Sequence, residues 1–158
     1  HRFLEFSQEL ETPCVVINLR TIKKNYIKLQ NSFPFASIYY AAKANPAPQV
    51  ISLLAELGSN FDIASRYELD KVMAHDVAPE RISYGNTIKK AKDIAYFYEK
   101  GIRMYATDSK EDLKNIAKHA PGSKVYVRIL VENSVTADWP LSRKFGCHPE
   151  SACRPCAR

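Results

Sequence analysis

A spacing constrains this chain more than any single residue does. Apolar or β-branched runs recur at 37–42, 60–63, 81–84, 103–107 and 124–131, with four helical segments between them. The expected strand ends, near Lys43, Asp62, Tyr84, Thr107 and Arg128, lie 19, 22, 23 and 21 residues apart. Strand and helix alternating at that interval specify a parallel sheet covered by helices. Two architectures satisfy this, an open doubly wound sheet or a (β/α)₈ barrel. No Gly-x-Gly-x-x-Gly or phosphate-binding loop follows any strand, which weighs against a nucleotide-binding open sheet. A barrel needs eight units and five strands are present, so a barrel would be cut short.

The helical segments carry their own punctuation. The first, 46–57, has Pro46 suited to the first helical position, an apolar face at Val50, Ile51, Leu53, Leu54 and Leu57, and Gly58 as a stop. The second opens on Ser65 with Glu68 three residues on, a capping box. The third covers about 88–99, apolar at Ile88, Ala91, Ile94, Ala95 and Tyr98, and ends at Gly101. The fourth opens on Ser109 with Asp112, a second capping box, and stops at Pro121-Gly122. Ahead of the repeat, 13–18 reads as a strand and 20–30 as a helix with Ile22, Tyr26 and Leu29 at helical spacing. After Glu150 the Cys/Arg/Pro/Ala-biased tail has no periodicity and reads as an out-of-frame or artificial extension. The chain therefore divides into 1–35 (strand and helix), 36–150 (partial barrel) and 151–158 (tail).

Composition excludes whole classes. At 158 residues, 46% hydrophobic and 25% charged, the chain is neither disordered nor collagen-like. No apolar run approaches the roughly 20 residues of a membrane span. His1 to Leu10 are polar and mixed, with no secretory pattern, although the chain begins on His1 rather than Met; a cytoplasmic protein is expected. The net charge of +6 is spread along the chain, and Lys23-Lys24 and Lys89-Lys90 read as solvated helix faces, so nucleic acid is not an expected partner. Cys147, Cys153 and Cys156 cluster near the end with His148, yet their spacing suits no common zinc finger. Together with Cys14 they read as free thiols, and no metal site is expected. His75 and His119 read as surface residues.

In a barrel, residues at the C-terminal strand ends face the active-site mouth. These are Lys43, Asp62, Tyr84-Gly85-Asn86, Thr107-Asp108 and Arg128. Lys43 follows the apolar run Ile38-Tyr39-Tyr40-Ala41-Ala42, where partial desolvation would make its amine nucleophilic and able to condense with a carbonyl. A lysine snorkelling from a strand end is the structural alternative.

The motifs also carry a resemblance. Tyr40-Ala41-Ala42-Lys43-Ala44-Asn45, followed by Val50-Ile51, Leu54 and Gly58, resembles the pyridoxal-phosphate attachment pattern of the ornithine/diaminopimelate/arginine decarboxylase family. Phe61-Asp62-Ile63-Ala64-Ser65 with Glu68, Arg81-Ile82-Ser83-Tyr84-Gly85-Asn86, Tyr126-Val127-Arg128-Ile129 and Trp139-Pro140-Leu141-Ser142-Arg143-Lys144-Phe145-Gly146 match in order, over about 12–150. Bacterial ornithine decarboxylases, some of which accept lysine, are the nearest likeness.

The resemblance implies an alanine-racemase-like (β/α)₈ barrel with a C-terminal β-domain absent here, to which the segment 13–18 would belong. It implies that Lys43 carries pyridoxal 5′-phosphate covalently and that Ala41, Asp62 and Arg128 line the cofactor. Arg128 has a structural ion pair as its alternative. Glu68 would stand nearby, although the capping box accounts for it equally. Lys144 would face the partner subunit of a homodimer, or simply solvent. The implied reaction is decarboxylation of a small basic amino acid, ornithine to putrescine. The cofactor-stacking histidine, the glycine-rich phosphate loop, the acid on the pyridine nitrogen and the groups lent across the dimer fall beyond this sequence, so the fragment alone is expected to be inactive and poorly soluble. The alternatives are a decarboxylase for diaminopimelate, lysine, arginine or carboxynorspermidine, a non-catalytic homologue of antizyme-inhibitor type, or a truncated product with no function.

Overall fold

The computed structural model of the chain describes residues 2–8, 10, 11, 13–131 and 145–153, without the side chains of Arg2, Phe3 and Cys153. Helices α1 (Arg2–Gln8) and α2 (Leu19–Ser32) precede β1 (Tyr39–Ala41), and a 3₁₀ turn (Ala42–Ala44) follows it. Then come α3 (Pro48–Glu56), β2 (Asn60–Ile63), α4 (Arg66–Met73), β3 (Ile82–Tyr84), α5 (Ala91–Glu99), β4 (Met104–Thr107), α6 (Lys110–His119), β5 (Lys124–Val127) and α7 (Pro149–Cys153).

The strand order resolves the two architectures. The sheet runs β1-β2-β3-β4-β5 with every pair parallel. A doubly wound sheet reverses direction at a switch point. A sheet that only ever adds the next strand on the same side, through right-handed crossovers, keeps its helices on one face and curves as a barrel wall. The chain is thus a five-strand parallel α/β unit that curves as part of a barrel wall.

The register sorts the side chains into two layers. Phe61, Ile63, Ile82, Tyr84 and Tyr105 are buried with Ile51, Leu54, Leu69, Val72, Ile94, Phe97 and Ile116 from the helices. Tyr84 stacks on Phe97 with ring centroids 3.8 Å apart. Burying a side chain of this size contributes roughly 1.5–3 kcal/mol. Alternating residues, Ala41, Asp62, Ser83 and Met104, fall on the opposite, concave face, because successive strand residues point to opposite sides.

Several expectations need correction. Residues 13–18 form no strand: they pair with nothing among the described residues, and Val15, Val16 and Ile17 are exposed. Helix α3 starts at Pro48, not Pro46, because the Asn45 side chain accepts a hydrogen bond from the Ala47 amide and holds 45–47 in a turn. The expected helix 88–99 begins only at Ala91, which leaves Ile88 75% exposed. The short helix α7 crosses the expected boundary at 150, ending before Pro155. The two capping boxes are half-formed: the Ser65 and Ser109 hydroxyls accept from the Glu68 and Asp112 amides. The Glu68 carboxylate, however, accepts from the Ala64 amide, and the Asp112 carboxylate is engaged elsewhere.

That engagement overturns the reading of Lys89 as solvated. Its ammonium is fully buried and donates to the carbonyls of Asn86 (2.9 Å) and Ala106 (2.6 Å) and to Oδ2 of Asp112 (2.6 Å). Thr107 Oγ1 donates to the same carboxylate oxygen at 2.8 Å. Burial lowers the Lys89 pKa, opposed by the hydrogen bond to Asp112. Lys23, Lys24 and Lys90 are exposed, as expected. No helix among the described residues is long and apolar enough to cross a membrane.

Candidate functional site

The C-terminal end of the sheet opens into a cleft of about 460 Å³. Its floor is built from strand ends. Ala41 ends β1 and pairs in register with Asp62 of β2, which pairs with Ser83 of β3, so all three share a face. Beyond Ala41 the chain turns through the 3₁₀ segment, with Ala42 buried completely and Lys43 exposed beside it. The turn is tied down by the Tyr40 hydroxyl, which donates to the Asn45 carbonyl at 3.2 Å; burial raises the Tyr40 pKa. Lys43 therefore does not have the desolvated setting expected of it. It stands on a short turn past the strand end, anchored by its neighbours.

Lys43, Asp62, Ala41 and Arg128 line this one cleft, joined by Asn86 and Tyr126. The Arg128 amide continues the β4–β5 ladder by donating to the Thr107 carbonyl at 2.8 Å, and its guanidinium lies 4.8 Å from the centre of the Phe145 ring. Glu68 is not among the lining residues, while Ala64, whose amide it caps at 2.7 Å, is. Lys144 lies outside the described residues. Two strand-end residues turn away from the mouth. Tyr84 packs into the helix-facing core, and Thr107 bonds to Asp112.

Two residues outside the strand-end set, Ser83 and Tyr126, complete the constellation together with Gly85, which belongs to that set. Ser83, 3% exposed, donates to Oδ1 of Asp62 at 2.7 Å. Tyr126 donates to the same oxygen at 3.4 Å, and burial raises its pKa. Gly85 lies against the Asp62 carboxylate so closely that a Cβ there would overlap it. The signal for Ser83 and Tyr126 was present in strand alternation: both occupy inner-face positions of expected strands. The cleft thus presents an amine, a carboxylate held by two hydroxyls, and a permanent cation, with small residues between them. An amine beside an anchored cation suits a ligand carrying both a carbonyl and an anionic group.

Comparison with known proteins gives the following. Residues 19–158 match the family model "Pyridoxal-dependent decarboxylase, pyridoxal binding domain". The chain is 38% identical to ornithine decarboxylase of Saccharomyces cerevisiae over 141 residues, 89% of this chain and 30% of that protein. It is 35% identical to lysine/ornithine decarboxylase of Selenomonas ruminantium, over 92% of this chain and 37% of that protein. Antizyme inhibitor 2 of Xenopus laevis is 33% identical over 88% of this chain and 30% of its own length. Among solved structures, SrLDC in complex with PLP and cadaverine superposes with a TM-score of 0.84 at 33% identity, covering 94% of this chain and 37% of that one. The chain spans about a third of the length of these relatives, which come from yeast and animal as well as bacterium.

Proposed function

The chain belongs to the pyridoxal-dependent decarboxylase family, matching its pyridoxal binding domain, and from that membership we propose that the whole protein decarboxylates L-ornithine to putrescine in the cytoplasm, as a homodimer. The observation that carries this reading is the meeting of Lys43, Asp62 and Arg128 in one cleft, on a chain 38% and 35% identical to enzymes named for ornithine and for lysine/ornithine.

The residues present fit pyridoxal phosphate. The cleft lies within the ~300–1,000 Å³ usual for small-molecule sites. Ala41 leaves its floor low, which suits a flat ring. When bound, the cofactor supplies the electron sink for the pair released as the α-carboxylate leaves. The rest is done by this chain's side chains. Lys43 offers the amine that holds the cofactor and returns to hold it after each turnover. Arg128 offsets negative charge on cofactor or substrate carboxylate. Asp62 puts a hydrogen-bond acceptor into the cleft that Lys43 also lines. Lys144 would face the partner subunit of the homodimer.

Pyridoxal 5′-phosphate trapping tests this. The chain is incubated with the cofactor, reduced with borohydride and mapped by mass spectrometry. A single adduct at Lys43 is expected, and scattered labelling of surface lysines would overturn the reading for this chain. A second reading rests on the 33% identity to antizyme inhibitor 2: a non-catalytic binding homologue. It predicts no saturable adduct at Lys43 and no decarboxylation by the full-length protein. Carbon dioxide release from ornithine, lysine, arginine and diaminopimelate by that protein would fix the substrate.

A further inference from the structure

We propose that Ser83 is a positioning residue that fixes the Asp62 carboxylate at the cleft, with Tyr126 as its second clamp and Gly85 as its cradle. The inference rests on the pyridoxal phosphate reading of the same cleft and adds a residue to it.

The geometry is specific. Asp62 and Ser83 are register partners on adjacent parallel strands, so their side chains leave the sheet on the same face, about one strand spacing (~4.8 Å) apart. That separation lets a serine hydroxyl reach a carboxylate directly, and the Ser83 Oγ to Asp62 Oδ1 distance is 2.7 Å. Ser83 is buried and donates a hydrogen bond to a carboxylate oxygen, the stronger kind of hydrogen bond. Tyr126 approaches Oδ1 from β5, two strands beyond Ser83. Among the described residues both donors fall on Oδ1, so that oxygen is fixed, while the carboxylate as a whole lines the cleft it shares with Lys43.

Gly85 supplies the third restraint. It lies two residues past Ser83 and its backbone faces the Asp62 carboxylate without room for a Cβ, with the crowding falling on Oδ1, Oδ2 and Cγ alike. The Gly85 amide meanwhile donates to the Ile63 carbonyl at 2.9 Å, so the backbone is not free to withdraw. A side chain at 85 would push the carboxylate off its clamps. Ser83 and Gly85 therefore serve one end: β3 and the residue after it are shaped around the acid on β2.

The test uses the full chain with pyridoxal 5′-phosphate as probe. It reads three quantities: the apparent dissociation constant from titrated borohydride trapping at Lys43, the ratio of the bound cofactor's long- and short-wavelength absorption bands, and the thermal midpoint without cofactor. Ser83→Ala is expected to weaken cofactor binding about tenfold, the loss of one hydrogen bond to a charged group, and to change the band ratio. Ser83→Thr, which keeps the hydroxyl, should restore both to within about twofold. Added to Asp62→Asn, Ser83→Ala should cost nothing further, since the two act through one carboxylate. Gly85→Ala should mimic Ser83→Ala. A Ser83→Ala chain that loses only thermal stability, with affinity and band ratio unchanged, overturns the positioning role and leaves the cofactor reading standing. A parent chain with no saturable adduct at Lys43 overturns that reading itself, and this inference with it.

Discussion

Two lysines at the same end of the sheet have opposite surroundings. Lys43 is exposed on a 3₁₀ turn at the cleft. Lys89 is buried, with three acceptors around its ammonium. A buried ammonium with its acceptors filled has no lone pair to offer and no route to a ligand, so it works as a bracket. It joins the loop after β3, through Asn86, to β4 and to the start of α6, and Asn86 lines the cleft. An exposed lysine on a fixed turn is the reverse: reachable, and dispensable for packing. The difference teaches that burial of a lysine marks a structural role here, and that the amine proposed to react is singled out by what shares its cleft.

The largest effect on the comparison should come from Lys89→Met. Leaving Asp112 buried without its partner is expected to cost ~3–5 kcal/mol in urea unfolding. The matching Lys43→Met should stay within ~0.5 kcal/mol while abolishing the trapped adduct at that position. Equal losses of stability in the two variants would erase the distinction.

Lys89→Met combined with Asp112→Leu sharpens it. Removing both charges avoids the orphaned carboxylate, so much of the loss should return. The remainder reports the carbonyls of Asn86 and Ala106 left without a donor, ~1–3 kcal/mol, again by urea unfolding.

Alkaline pH separates the bracket from the core around it. The folded state holds Lys89 below the ordinary lysine value of 10.5, so on approaching 10.5 the unfolded chain binds more protons there and the Lys89 contribution to stability rises with pH. Tyr84 and Tyr105 lie well above the ordinary value of 10.0, mainly through burial. Above pH 10 the unfolded chain loses phenolic protons that the folded chain keeps, and stability falls. Urea midpoints should therefore rise toward pH 10 and drop beyond it. Lys89→Met should remove the rise, and Tyr84→Phe, which keeps the ring on Phe97, should soften the drop.

The smallest effect belongs to the outer surface. Arg66 lies 4.0 Å from the centre of the Tyr96 ring and 3.8 Å from Asp93, both contacts in solvent reach. Arg66→Ala should cost less than ~1 kcal/mol by thermal unfolding, with cofactor trapping unchanged.

The sequence carried the local layer well. Strands at 60–63, 82–84 and 104–107 were legible from their apolar runs and from the stops at Gly58, Gly101 and Pro121-Gly122, because those signals act within a few residues. The segment 13–18 misled because an apolar β-branched run states a capacity to pair, and pairing needs a neighbour that only the fold supplies. Lys89 misled for the same reason: its place next to Lys90 looked solvated, while its partner Asp112 lies 23 residues away. Within the cleft, Lys43, Asp62 and Arg128 were found as strand-end residues, whereas the Glu68 carboxylate turned back to the Ala64 amide and does not line it.

What the sequence alone determined is therefore the alternation of strand and helix, the parallel sense it enforces, and the family whose motifs ride on it. These depend on spacing and residue type, which are one-dimensional. Tertiary structure decided the strand order β1-β2-β3-β4-β5, which makes a barrel wall of the sheet. It also decided which of two lysines is buried, and the clamp of Ser83 and Tyr126 on Asp62. Each of these is a meeting of groups about 20 or more residues apart. Such meetings are fixed by register and packing, which no local pattern encodes.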